Sequence, residues 1–269
     1  MAALPFGYHA DDGAAYERFL GRWTQALATR FLAFAAIPED GPTLDLGCGT
    51  GSLALVIARQ ASCPVVVGLD RALPYVSFAR SRAADAAVRF EVGDAAHLPH
   101  ADGAFASCLA QLVFTFVAEP AAVLAEMIRV TRRGGVVAAN VWDFGGGLVY
   151  QRLFWDTAAV VDPAAAALRG RLFSHGLARA GGLAALWREA SLADVSERSI
   201  TVRMDYAGFD DYWQPLLGGQ GPVGRYVVGL RDDERARLET LVRDAYLAGA
   251  PDGSRSMTAS AWAVRGVRA

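Results

Sequence analysis

The stretch 44-LDLGCGTGSLALVIARQ-60 decides how this chain is read. An apolar run, Leu44 to Leu46, meets three glycines at 47, 49 and 51, and a helix-like run opens at Ser52. Glycines crowded so closely mean that the backbone turns sharply, or is approached where a side chain would obstruct. A strand that ends in such a turn and feeds a helix sets backbone N–H groups and a positive helix end beside a ligand. The plainer alternative is that the glycines serve only a tight strand-to-helix turn.

Outward from that turn the pattern alternates. Short apolar runs at 43–46, 65–69, 88–92, 105–113 and 136–142 read as strands, with helix-like stretches at 52–60, 74–84 and 120–131 between them. Alternation at this pitch predicts βαβ units: a mostly parallel sheet with right-handed crossovers and helices on both faces. Before it, residues 14–36 carry Phe19, Leu20, Trp23, Leu27, Phe31 and Leu32 at helical spacing, and Pro38 and Gly41-Pro42 close that helix. Beyond 143 the pattern loosens. Residues 148–161 and 181–191 read as helices, 198-RSITVRM-204 and 257-MTASAWAVRG-266 as strands. The aromatic and glycine-rich 205–256 holds a charged helix near 231–248. The expectation is one domain over 1–269, with 14–143 as the ligand-binding half and 144–197 and 205–256 as insertions.

Composition closes several doors. The 269 residues are 53% hydrophobic and 20% charged, which marks a globular chain. A formal net charge of −2 argues against a nucleic acid as the main partner. All 26 basic residues are arginine, so neither a Schiff-base lysine nor a P-loop lysine exists. Cys48, Cys63 and Cys108 lack CxxC spacing, which predicts a reduced, cytoplasmic protein without a cysteine metal site. The start, MAALPFGYHADDG, lacks a signal-peptide pattern, and no run of 18 uncharged apolar residues predicts a membrane span. Asp143-Phe144-Gly145 echoes a kinase trio, but a strand lysine is missing.

The spacing of the glycines discriminates further. A dinucleotide turn is G-x-G-x-x-G; here Ser52 holds the sixth place. The second strand ends in an acid, 65-VVVGLD-70, and Asp70 there can accept hydrogen bonds from both hydroxyls of a ribose. Asp70 could also be a helix N-cap. Gly93-Asp94 follows 88-VRFEV-92, where Asp94 could read an adenine amino group or merely belong to an ordinary turn.

The segment 44-LDLGCGTGSLA-54 closely resembles motif I of the class I S-adenosylmethionine-dependent methyltransferases, in their bacterial small-molecule type. Other segments resemble that superfamily in its own order: 67-VGLDRALPYVSFAR-80, 90-FEVGDAAHLPHADGAF-105, 105-FASCLAQLVFTFVAEP-120 and 130-VTRRGGVVAANVWD-143. The start, 16-YERFLGRW-23, resembles the cap helix of one bacterial subgroup. The resemblance implies a Rossmann-like, seven-stranded α/β sheet with the last strand antiparallel, capped by the N-terminal helix and the late insertions. It implies S-adenosyl-L-methionine as cofactor, with Gly47, Cys48, Gly49 and Gly51 along its methionine part. Asp45 would orient the amino group, or serve only as a structural hydrogen-bond acceptor. Asp70 would hold the ribose, with Arg71 beside the adenine; Asp94 and the Ala95 backbone would meet the adenine edge. Ala110 and Gln111 would close the methionine end, and Tyr16 and Arg22 would cover the site, with Trp23 either joining them or packing in the core. Two departures are visible: Ala106 where an Asp is common, and Thr115-Phe116 where an acid and a His are frequent.

Methyl transfer is a displacement at an already activated donor, so alignment and desolvation carry much of it and a base is optional. Of His9, His97, His100 and His175, only His175, in 172-LFSHGLARAGG-182, falls where substrate caps are inserted in this superfamily. It is the candidate proton acceptor, with a solvated loop residue as the alternative. His97 and His100 have no companions that would complete a metal set. Tyr150, Phe154, Trp155, Phe173, Tyr212, Trp213 and Tyr226 suit either the wall of an apolar small-molecule pocket or the core of a helical cap. The expected activity is methyl transfer to a small, partly apolar acceptor. A non-catalytic binder of the cofactor and a nicotinamide-dependent oxidoreductase are the rivals.

Overall fold

The computed structural model describes residues 11–60, 65–83 and 88–269. His9, Cys63 and most of the N-terminal stretch read for a signal peptide lie outside the described residues.

Seven strands form one sheet in the order β3-β2-β1-β4-β5-β7-β6. They are β1 (Thr43–Leu46), β2 (Val66–Asp70), β3 (Val88–Val92), β4 (Phe105–Gln111), β5 (Thr131–Trp142), β6 (Ala193–Tyr206) and β7 (Arg255–Val267). The strands from β3 to β5 pair in parallel; β7 runs antiparallel to both β5 and β6, so it is the one reversed strand. The expected mixed sheet with its last strand reversed is what forms.

Burial explains which runs read clearly. β1 is buried along its whole length, as expected of a central parallel strand covered on both faces. β6 lies at an edge and alternates: Ile200, Val202, Met204 and Tyr206 turn inward, while Arg203 and Asp205 face out. Two boundaries move. β4 stops at Gln111 because Leu112 takes φ +63, although its N–H still donates to the Asn140 carbonyl. β5 starts at Thr131 rather than 136, since Arg132 to Gly135 extend along β7's end through Gly134 N–H to the Arg268 carbonyl at 2.8 Å.

Helices cover both faces. On one face pack α2 (Arg22–Ala35), α3 (Ser52–Gln60) and α4 (Leu73–Arg82), joined by α6 (Val149–Val161), α7 (Pro163–Phe173), α9 (Phe209–Trp213), α10 (Gly221–Val228) and α11 (Asp232–Leu247). On the other lie α5 (Pro120–Val130) and α8 (Gly182–Glu189), whose Trp187 Nε1 donates to the Val137 carbonyl at 3.0 Å. The N-terminal helix is not uniform: α1 (Gly13–Tyr16) passes through a π-helical turn, Glu17–Gly21, before α2. A Cβ on Gly21 would sit 2.3 Å from the Glu17 carboxylate, which Thr50 Oγ1 at 2.5 Å and Arg82 at 2.8 Å hold against that glycine. Among the described residues no helix is long and apolar enough to cross a membrane.

Strand order reverses around β1, between β2 and β4. The carboxyl ends of those strands leave the crevice in which open α/β sheets bind ligands.

Candidate active site

The glycine turn sits at that reversal, and each glycine answers to a different neighbour. Gly47 and Gly51 adopt φ +69 and +88; a Cβ would lie 2.4 Å from Val113 Cγ2 on the first and 2.9 Å from Phe90 Cζ on the second. Gly49, at φ +53, would meet nothing nearer than Tyr75 Cδ2 at 3.8 Å, so the missing side chain there leaves open space. The loop's N–H groups are already engaged. Gly47 and Cys48 donate to the Leu69 carbonyl (2.7 and 3.1 Å), Gly49 to Asp70 Oδ2 (2.9 Å) and Gly51 to the Cys48 carbonyl (2.8 Å). A pyrophosphate needs such donors unpaired. This turn is built for a different ligand.

Two acids flank it. Asp45, 1% exposed, accepts from Ala54 N–H at 2.9 Å through Oδ2, which fixes the start of α3; its Oδ1 has no partner among the described residues. Burial pushes its carboxyl up to about 7. Gln111 donates through Nε2 to the Thr24 carbonyl at 3.1 Å and leaves Oε1 unpartnered. Both side chains border a hollow of about 30 Å³ shared with Gly47, Cys48, Gly49 and Tyr16. That is room for one water or one ammonium head, and unpaired acceptor oxygens there call for a donor. Asp70 accepts from Gly49 N–H through Oδ2 and from Ala72 N–H (2.8 Å) through Oδ1; burial raises its pKa against the pull of those N–H groups. It therefore both holds the start of α4 and borders the main cavity.

That cavity, about 530 Å³, has the size of a small-molecule site. Its two halves differ. Toward α5 it is bordered by Leu69, Val113, Val117 and the 93–97 loop, and here stand the charged or titratable Asp70, Arg71, Asp94, His97 and Glu119. Ala95 lies in the same wall, and Asp94 accepts from Ala96 N–H at 3.0 Å, the turn expected of Gly-Asp. From the N-terminal helix, the end of β5 and the segments after it, the described lining residues are Tyr16, Phe19, Leu20, Trp142, Phe144, Gln151 and Pro222, none of them charged. Phe116 also borders the cavity, from the loop that Leu112 opens with its left-handed backbone.

Several sequence expectations need correction. Gly51 and Ala110 do not border the cavity: Gly51 serves helix-to-strand packing under Phe90, and Ala110 points to the opposite sheet face, since side chains alternate along β4. Arg22 is also absent from the wall. Its guanidinium pairs with both Asp211 oxygens (3.0 and 3.2 Å) and lies 4.2 Å over the Trp23 ring, tying the first helix to α9. Trp23 is buried core, packed 5.7 Å from Tyr206. His175 lies beyond α7, half-buried and away from the cavity, with its pKa lowered by burial. None of the seven insertion aromatics borders the cavity either; they pack together in the core over the sheet. Phe19, Phe116, Trp142, Phe144 and Gln151 were missed. Trp142 ends β5 and Phe116 follows β4, so their place at strand ends was the available signal.

The comparisons with known proteins agree with this geometry. A family profile described as a methyltransferase domain matches residues 44–139. The demethylmenaquinone methyltransferase of Roseiflexus castenholzii is 31% identical over 185 residues, covering 64% of this chain and 76% of that protein. The ubiquinone/menaquinone biosynthesis C-methyltransferase UbiE of Bdellovibrio bacteriovorus is 35% identical over 120 residues, which is 43% of this chain and 49% of that one. Among solved structures, the YcgJ protein of Bacillus subtilis superposes with a TM-score of 0.58 at 19% identity, covering 92% of this chain and 98% of its own. The Haemonchus contortus phosphoethanolamine N-methyltransferase 2, solved with phosphomonomethylethanolamine and S-adenosylhomocysteine, gives 0.57 at 15%, covering 95% and 56%. At those identities the likeness is one of fold.

Proposed function

Since the chain belongs to the class I S-adenosylmethionine-dependent methyltransferases, we propose that it methylates a neutral, largely apolar small molecule with an unsaturated ring. S-adenosylmethionine is the cofactor, and when bound it supplies a methyl group on a sulfonium that needs no further activation.

The residues fit that cofactor. Asp45 Oδ1 and Gln111 Oε1, both buried and unpartnered, would receive its ammonium group in the small hollow. Gly49 would leave room for the methionine chain, Asp70 would accept from the ribose hydroxyls, and Asp94 with Ala95 would meet the adenine edge. Arg71 would lie beside the ring. We take 14–143 as the part that holds the cofactor. The acceptor end adds Trp142, Phe144, Gln151 and Pro222 to the N-terminal helix.

One observation carries the acceptor reading: among the described residues, the cavity wall around Phe19 and Trp142 has no charged side chain. A charged acceptor would lose its hydration there without a counter-charge, which costs several kcal/mol. Among the described residues neither carboxylate nor imidazole stands in that half, so their contribution is to align the acceptor and exclude water. The acceptor named for the R. castenholzii relative, demethylmenaquinone, has a neutral ring of this class. Calorimetry is the first test: S-adenosylmethionine should bind and NAD(P) should not. The second is turnover with uncharged hydroxynaphthalenes against phosphorylated or carboxylated acceptors. S-adenosylhomocysteine accumulating only with the charged set would overturn the acceptor assignment.

A further inference from the structure

Within the uncharged half of the cavity, Gln151 stands apart. It occupies the first turn of α6, is 3% exposed and borders the cavity. Its Nε2 donates to Tyr150 Oη at 2.9 Å, and Tyr150 is itself buried, its backbone carbonyl accepting from Tyr212 Oη at 2.8 Å. The amide is thus tethered by one end. Its Oε1 is buried without a partner among the described residues. A buried amide oxygen left unpaired is destabilising, and it is tolerated where a ligand or water completes it. The remaining wall on this side is Phe19, Leu20, Phe144 and Pro222, with the phenol of Tyr16 and the indole of Trp142.

We infer that Gln151 is the specificity-determining residue of the acceptor end, its Oε1 accepting from a hydroxyl or N–H on the edge of a flat, neutral ring. The aromatic wall receives the ring faces, since aromatic pairs favour offset and edge contacts over other arrangements. The amide reads the edge. A purely apolar ring fits the same space but leaves Oε1 unpaired, and that difference is the discrimination. The inference rests on the methyl-acceptor reading above and adds which acceptors are taken: hydroxylated or N–H-bearing rings over their plain hydrocarbon shapes.

The test uses the protein saturated with S-adenosylhomocysteine and two probes of equal shape, 1-naphthol and 1-methylnaphthalene. Wild type should bind 1-naphthol at least about tenfold more tightly. Gln151→Met, which keeps the length and removes the amide, should cut that preference to within about threefold while leaving S-adenosylhomocysteine affinity unchanged. Equal binding of the two probes by wild type, binding of neither, or a preference that survives in Gln151→Met overturns the inference. If the methionine variant does not fold, Tyr150→Phe, which removes only the tethering hydroxyl, must lower the same preference; an unchanged preference there also overturns it. S-adenosylhomocysteine affinity separates the two levels. Its absence in wild type removes the cofactor site on which the reading rests, whereas its presence without a naphthol preference removes Gln151 alone.

Discussion

Asp45 offers the most exacting test of the cofactor site, because its charge state must change on binding. In the free protein burial raises its carboxyl to about 7, so at pH 6 it is about nine-tenths protonated. An ammonium group placed against Oδ1 favours the carboxylate and returns the pKa toward the ordinary range near 4. Binding at pH 6 should therefore release about 0.9 proton from this residue, about half a proton at pH 7, and about 0.1 at pH 8. The cofactor's own amine is already charged at pH 6 and does not mask the signal. Because only the ionised form is competent, the dissociation constant should fall about tenfold from pH 5 to pH 6 and level off above pH 7. The free protein shows the opposite trend. A carboxyl whose pKa is raised by folding gives its full stability below about pH 4 and loses it as pH climbs through 7, so Asp45→Asn should gain in Tm over wild type between pH 5 and pH 8. Titration calorimetry with S-adenosylhomocysteine, run in two buffers of different ionisation enthalpy, measures the proton count directly. A release near zero at pH 6, or one that persists undiminished in Asp45→Asn, would refute the placement of the ammonium group.

Asp70→Ala should weaken cofactor binding by about 1–3 kcal/mol in calorimetry, since it removes hydrogen bonds to a charged group; unchanged affinity would remove the ribose assignment. Gly49→Leu directs a side chain into the open space in front of Tyr75 and forces a leucine to φ +53, so it should cost about 1–2 kcal/mol of stability and abolish cofactor binding. A variant that still binds would show that the ligand lies elsewhere. His175→Ala should leave turnover and its pH profile intact, because the imidazole stands away from the cavity; a loss of kcat would return His175 to candidacy as a base. Phe154→Ala, in a fully buried position, should cost about 3–5 kcal/mol in denaturant unfolding yet leave acceptor preference as it was. An altered preference in a folded variant would put that aromatic cluster in contact with the acceptor after all.

The central parallel strands were legible because they are buried on both faces and so appear as largely apolar runs between helical ones; β3, at the sheet edge, alternates buried and exposed residues instead. Leu44 and Leu46 on β1, Val66 and Leu69 on β2, and Val136, Val137 and Val141 on β5 are all buried. What was lost lies where local chemistry misleads. Arg132-Arg133-Gly134-Gly135 has the composition of a turn, but hydrogen bonds to Arg268 in both directions extend it onto β5. Pro163–Phe173 carries four consecutive alanines and little amphipathic pattern, so periodicity did not mark α7; its signal was Asp162, which accepts from Ala164 N–H at 2.8 Å, ahead of a proline at the first helical position.

The site followed the same division. Residues whose position depends on backbone shape or on a strand's end were readable as cavity-lining: Gly47, Gly49, Asp70 and Asp94 all border it. Residues whose role depends on which way a buried ring faces were not. Phe154 sits 5.1 Å from Trp155, 6.0 Å from Tyr226 and 6.4 Å from Trp213, a cluster closed on itself. Composition reports that such rings are buried, and a pocket wall and a cap core are equally buried. Position relative to the sheet separates them. A ring at the carboxyl end of a central strand, such as Trp142, or in the loop beyond one, such as Phe116, stands where the crevice opens, although Phe114 of the same loop turns back to pack 5.2 Å from Trp187. The segments after β5 therefore border the cavity at a few points, Gln151 and Pro222 among them, while their aromatic bulk packs in the core over the sheet.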